Sequence, residues 1–253
     1  MPFKKDKLSG KRIVVVGGSS GIGFGAAEAL LAFGAVVTIV SSSQERVDKS
    51  AKALQEKIPD GKIDGRVSDV RDEEAFTKTL VELAPIDHLV FTSVDKIIRG
   101  PLATLDLNEA KHLFGVKFWG AIIAGKAALK HDIINPGGSL TLTSGTAGIK
   151  PGKDAAVGGA LNGGVLTLTK GLAADLAEKK VRVNTVVPGL VITELWDKLG
   201  VTEERKAQLA NSGDTLPVGF VADGGDIAEA YVYLVRADYA TGTLVEIDGG
   251  RLL

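Results

Sequence analysis

The sequence predicts an α/β domain in which one parallel sheet is doubly wound, with helices on both faces. Three observations predict it. Short runs of apolar or β-branched residues have the length of buried strands, segments of helical period separate them, and the two kinds alternate from Ile13 to Ile247. Right-handed crossovers between parallel strands place such helices on alternate faces of one sheet. No Pro/Gly/Ser-rich linker interrupts the 253 residues, which reads as one domain.

Taken in order, Ile13 to Val16 is wholly apolar and enters a Gly-rich turn, as a strand buried on both faces does. Gly21 to Phe33 follows as a helix carrying Ile22, Ala26, Leu30 and Phe33 on one side, with Gly34 as its stop. Ala35 to Val40 is the second strand, and Arg46 to Lys57 a helix ending before Pro59. Lys62 to Val67, Asp72 to Leu83 and Asp87 to Phe91 repeat the strand–helix–strand pattern. One long helix is expected from about Leu107 to Asp132, then a strand over Ser139 to Thr143 and a helix from about Ala160 to Lys179. Val181 to Val187, Ile227 to Val235 and Thr243 to Ile247 complete the series as strand, helix and strand.

Composition narrows the function classes. Apolar residues make up 45% and charged residues 24%, which excludes global disorder. A net charge of -1 gives no field that would gather nucleic acid or an anionic membrane. The chain has no cysteine, so it has neither a disulfide nor a thiolate nucleophile. Met1 to Arg12 is basic and lacks the apolar stretch of a signal peptide, and no apolar run is long enough to span a bilayer. The expected location is the cytoplasm.

Gly17, Gly21 and Gly23 sit between the first strand and the first helix. In that setting glycines let backbone N–H groups approach a pyrophosphate, and the helix terminus adds partial positive charge. Ser19 and Ser20 add hydroxyls. The chain thereby reads as a Rossmann-type dinucleotide binder. The spacing Gly-x-x-x-Gly-x-Gly, together with Ser68-Asp69-Val70, Gly137-Gly138-Ser139-Leu140, Pro188-Gly189 followed by Thr193, and the closing Gly242 to Gly250, resembles the short-chain dehydrogenase/reductase family across nearly the whole chain. The resemblance implies dinucleotide contacts from Gly17, Ser19, Ser20, Gly21, Ile22 and Gly23, from Asp69 and Val70 at the adenine, and from Thr92 and Ser93. On the nicotinamide side it implies Pro188, Gly189, Val191 and Thr193.

The end of the second strand decides between the two nicotinamide dinucleotides. An acid there suits the ribose diol of NAD; here stand Ser41, Ser42 and Ser43, with Arg46 a turn later. Hydroxyls and a guanidinium suit a phosphate, so NADP(H) is expected. Ser43 also suits the N-cap of the following helix.

The family's catalytic tetrad (Asn, Ser, Tyr and Lys) is not found in register. The Tyr and Lys positions fall on Gly158 and Asn162, the Ser position on Gly145 beside Ser144, and the Asn position on Lys117. No tyrosine precedes Tyr231, so a small register error cannot supply one. Hydride addition to a ketone makes an alkoxide that needs a proton donor or oxyanion stabilisation. An activated substrate, an iminium or a conjugated system, makes a smaller demand, and a carboxylate could steady a cationic one. Asp154 beside the vacant Tyr position, Asp95 after the fourth strand and Lys117 are the candidate catalytic residues. The pattern resembles a fungal branch of the family that lost the tetrad, including indole-alkaloid reductases that assist a Diels–Alder cyclisation. Two other readings stand beside reduction: a dinucleotide-binding pseudoenzyme, and a cyclase or isomerase that uses the cofactor only as a wall.

Between Thr193 and Phe220, Leu195, Trp196, Leu199, Leu216, Val218 and Phe220 suggest an apolar cover over a small apolar substrate, or a face that packs on the domain or a neighbouring subunit. A homodimer or homotetramer is expected. The histidines show no metal-ligand spacing; His88 and His112 read as structural, and His131 suits a helix C-terminus.

Overall fold

The first strand shows why the sheet is covered on both faces. In β1 (Arg12–Val16), Ile13 and Val15 point into one apolar cluster, while Val14 and Val16 point into another on the opposite face. Strand geometry alternates side chains, so a run apolar from Ile13 to Val16 requires a core on each side. The computed structural model, which describes residues 6–198 and 202–253, supplies both. Its parallel sheet has seven strands in the order β3-β2-β1-β4-β5-β6-β7. The remaining strands are β2 (Val36–Ser41), β3 (Lys62–Val67), β4 (Ile86–Phe91), β5 (Ile134–Thr143), β6 (Arg182–Pro188) and β7 (Leu244–Ile247).

One face is covered by α1 (Gly21–Ala32), α2 (Gln44–Lys57) and, much later in the chain, α9 (Gly224–Arg236). Tyr231 of α9 is fully buried there, its hydroxyl 2.6 Å from Thr143 Oγ1. The other face carries α3 (Glu73–Leu83), α4 (Leu107–Phe114), α5 (Gly120–His131) and α6 (Ala156–Asp175). The order reverses between β1 and β4, and a crevice opens there outside the carboxyl ends of the strands. Short helices α7 (Leu195–Lys198) and α8 (Glu203–Ala210) follow β6.

Strand β5 begins at Ile134 rather than at the expected Ser139, and two helical stretches that carry the crevice residues Lys117 and Asn162 also depart from the sequence expectation. The helix expected over 107–132 is two α-helices joined by a π-helical segment, Gly115–Trp119. A π turn inserts an extra residue and re-aims the side chains it carries, and Lys117 sits on it. Helix α6 begins at Ala156, four residues before the expected Ala160. Gly158 and Gly159 hid its first turn, because glycine is a poor helix former. Tertiary contact explains their presence: a Cβ on Gly158 would stand 2.4 Å from the Ile98 carbonyl oxygen, and one on Gly159 2.9 Å from Pro151.

The apolar cover is only partly formed as expected. Trp196 and Leu216 are buried, whereas Val218 and Phe220 are more than half exposed. Leu199 lies outside the described residues.

Candidate active site

The Gly-rich loop forms one end of the crevice. Gly17 has φ +85°, and a Cβ on Gly23 would come within 2.2 Å of the Gly17 carbonyl, so the turn closes only with glycine at both places. The N–H groups of Ile22 and Gly23, in the first turn of α1, have no acceptor among the described residues. Next along the wall, Ser19 donates to Ser41 Oγ at 2.9 Å and Arg46 Nη2 to Ser42 Oγ at 2.8 Å. Arg46 Nε is buried with no hydrogen-bond partner among the described residues. An orphaned guanidinium N–H beside serine hydroxyls fits an added phosphate oxygen, the group that distinguishes NADP from NAD.

Ser43 corrects the sequence reading. Its side chain accepts from Arg46 N at the N-cap of α2 and does not line the crevice, so it orients the helix that carries Arg46. The other residues expected at the cofactor, including Ile22, Val70, Thr92, Ser93, Pro188, Gly189, Val191 and Thr193, all line the crevice. Thr92 is also structural, donating to the Val16 carbonyl at 2.9 Å.

A polar chain unforeseen in the sequence runs along the rim. Asp69 accepts from Arg71 Nε at 3.0 and 3.1 Å, and this partner holds its carboxyl below the usual carboxylate range. Arg71 Nη1 lies 2.9 Å from His112 Nδ1, and His112 Nε2 lies 2.8 Å from Asp95 Oδ2. Arginine only donates, so Nδ1 must accept and Nε2 carries the proton towards Asp95. Asp95 is thus on the crevice wall but committed to a histidine, and His112 has a defined partner on each side. Helical spacing could have placed His112 on one face of α4; nothing local linked it to Arg71, 41 positions away.

At the far end stands Lys117. Its ammonium donates to the Ser144 carbonyl at 3.0 Å and to Asn162 Oδ1 at 2.8 Å. Among the described residues it has no carboxylate partner, and burial alone pushes its pKa down to about 8. An ammonium has three donors; two are held by protein, and the residue borders the crevice. Ser144 Oγ donates to the Asn162 carbonyl at 2.9 Å, so its proton is turned into α6 and away from the crevice.

Asp154 does not join this group. It has φ +64°, its carbonyl accepts from Gly100 N at 2.8 Å, and it lines a separate small cavity with Ile98, Leu102 and Leu105. Nearness in sequence to Gly158 suggested the crevice; the left-handed backbone at Asp154 directs the residue elsewhere.

A family model described as an SDR-like Rossmann domain matches residues 4–253. The chain belongs to the short-chain dehydrogenase/reductase family. The short-chain dehydrogenase/reductase malC of Malbranchea aurantiaca is 32% identical over 260 residues, covering 98% of this chain and 97% of the relative. The short-chain dehydrogenase/reductase fsr5 of Gibberella fujikuroi is also 32% identical over 260 residues, covering 98% and 96%. Among solved structures, the MalC reductase/Diels-Alderase from Malbranchea aurantiaca aligns with a TM-score of 0.87 at 31% identity, covering 98% of both chains. A small-chain dehydrogenase in complex with NADPH aligns with a TM-score of 0.79 at 30% identity, covering 96% of this chain and 98% of that one.

The positions where the resemblance puts the family's tetrad carry other residues here. At Gly158, where the resemblance puts the tyrosine, the backbone of Ile98 occupies the space of a side chain. At the asparagine and lysine positions the two residue types have changed places: Lys117 comes from the π segment, Asn162 from α6, and they bond to each other. A Cβ at Gly145 would lie 3.4 Å from Asn162 Oδ1, so a side chain there would crowd that pair.

Proposed function

We propose that this chain binds NADPH and reduces a small apolar molecule activated by conjugation to a carbonyl, with Lys117 as the group that meets the developing negative charge. The observation that carries the reading is the Lys117 ammonium on the crevice wall, held by the Ser144 carbonyl and Asn162, with its pKa lowered by burial to about 8.

NADPH supplies a hydride when bound. The chain supplies the rest. Arg46, Ser42 and the Gly17–Gly23 loop would hold the phosphates, and Thr92, Ser93, Pro188, Gly189, Val191 and Thr193 would frame the opposite side. Addition to a conjugated β-carbon shifts charge to the carbonyl oxygen, where a preorganised ammonium in a poorly hydrated wall is worth far more than in water. The same ammonium then donates a proton. A pKa of about 8 lies close to operating pH, which suits both holding and releasing it. Asn162 and the Ser144 carbonyl fix its direction, and Trp196 and Leu195 help exclude water.

Of the two activated classes, this geometry favours the conjugated carbonyl over the iminium. A cationic substrate would meet an ammonium, while Asp154 faces another cavity and Asp95 is bound to His112. The likeness to the Malbranchea reductase/Diels-Alderase supports a place in fungal-type secondary metabolism, with cyclisation as a further outcome of the same pocket. Exposed Leu107 and Trp119 support self-association as a homodimer or homotetramer. No described helix is long and apolar enough to cross a membrane, in keeping with a cytoplasmic site of action.

Single-turnover loss of NADPH absorbance, measured with a conjugated enone, a simple ketone and a cyclic iminium, tests the reading. Oxidation with the enone alone is expected. Preference for the iminium would remove Lys117 from its role, and no oxidation with any of the three would leave a dinucleotide-binding pseudoenzyme.

A further inference from the structure

Helix α1 has no acidic residue in its first turn, and Ser20 at its N-cap makes no side-chain bond to it. A carboxylate reaches that terminus from elsewhere. Glu194, 173 positions away on the turn that enters α7, accepts a hydrogen bond of 2.9 Å from the Gly21 backbone N–H. The approach is close: Gly21 has φ +52°, and a Cβ there would stand 3.1 Å from Thr193 Cβ and 3.5 Å from Glu194 Oε2.

Gly21 belongs to the loop that cradles the pyrophosphate in the proposed function, and a helix N-terminus attracts one anion at that point. A carboxylate and a pyrophosphate oxygen are the same kind of ligand to an N–H: negatively charged and acceptor-only. One N–H serves one of them at full strength, and two such anions side by side repel. We propose that Glu194 is an internal competitor for the pyrophosphate site, so that it sets dinucleotide affinity and couples cofactor binding to the position of the α7 turn.

The coupling is visible in the turn itself. Trp196 N donates to the Thr193 carbonyl at 3.1 Å, and Asp197 N to the Glu194 carbonyl at 3.2 Å, so residues 193–197 form one hydrogen-bonded turn. Trp196 is buried and separates the crevice from a second cavity behind it; Glu194 borders both. Displacing the carboxylate therefore shifts an indole that walls the substrate end.

The inference rests on the NADPH reading, and the experiment separates the two. NADPH and adenosine 2′-monophosphate, which lacks a pyrophosphate, are titrated calorimetrically into the full chain as wild type, Glu194→Gln and Glu194→Ala. Both variants are expected to bind NADPH tighter, by roughly five- to thirtyfold, while the affinity for adenosine 2′-monophosphate stays constant. With Trp119→Phe as background, Trp196 is the sole tryptophan. Its emission is expected to shift on NADPH addition in the wild type and to stand near the shifted value beforehand in Glu194→Ala. Unchanged or weaker NADPH binding in the variants, or an equal tightening for both ligands, overturns the competition. A wild type that binds no NADPH overturns the cofactor reading and this proposal with it.

Discussion

The carbonyl oxygen of Ile98 lies 2.4 Å from the point where a Cβ on Gly158 would stand. Gly158 stands where the family resemblance puts its tyrosine, and the loop after β4 occupies the space that a side chain there would need. Gly158→Ala is expected to destabilise the protein by about 1–3 kcal/mol through overpacking, despite the roughly 1 kcal/mol that alanine gains over glycine within a helix. Urea denaturation reads the difference. A more stable Gly158→Ala would show that the Ile98 segment gives way easily, and Gly158→Tyr would then be worth testing for ketone reduction.

At the other end of the crevice, Arg46 and Ser43 separate binding from capping. Arg46→Ala is expected to weaken NADPH binding by roughly tenfold or more, a charge-assisted bond being worth about 1.5–3 kcal/mol, and to leave NADH unaffected. Ser43→Ala should lower stability by about 1 kcal/mol through the lost cap and shift both dinucleotides equally. Parallel titrations check this; equal losses for both dinucleotides on Arg46→Ala would contradict a 2′-phosphate contact.

For Asp154 the expected result is silence in activity. Because it lines a cavity apart from the crevice, Asp154→Asn should keep the single-turnover rate within about twofold, where loss of a catalytic charge would remove two to three decades. Asp154→Gly should hold or raise stability, since φ +64° suits glycine better than a residue with a Cβ. A hundredfold loss of rate on Asp154→Asn would return the iminium chemistry to consideration.

Lys117 should cost stability at neutral pH. Its folded-state pKa of about 8 lies below the ordinary value of 10.5, so between those values the unfolded chain binds more protons and stability rises with pH. Below about 8 the full penalty is present. Replacing the lysine by methionine removes it, at the loss of two hydrogen bonds. Lys117→Met is expected to be more stable than wild type at pH 7, by about 1–2 kcal/mol, with the advantage shrinking towards pH 10.5. Denaturation at the two pH values measures this; a variant less stable at pH 7 would mean that the ammonium is well solvated.

The fold was legible because strand period, helix period and glycine loop agreed with one another from Ile13 to Ile247. The shape of the glycine-loop end of the crevice was legible for the same reason: Gly17 to Gly23 and Arg46 are placed by local chain geometry. The reaction end was not, because its defining contacts are distant in sequence. Lys117 meets Asn162 across 45 positions, and Arg71 meets His112 across 41. The sequence showed that Lys117 and Asn162 stood in unexpected places, but only the structure shows that they face each other. Asp154 misled for the converse reason, since it is close to Gly158 along the chain but turned from the crevice by its backbone.

The most direct test of the account is the pH dependence of the single-turnover hydride-transfer rate on a conjugated enone, for wild type and Lys117→Met. An acid with a pKa near 8 is active when protonated, so the wild-type rate is expected to hold below about pH 8 and to fall tenfold per unit above it. The methionine variant is expected to be slower by roughly two to three decades and flat across that range. A wild-type rate that stays level through pH 8 to 10, or a methionine variant that matches it, would contradict the assignment of Lys117 as the proton-holding group.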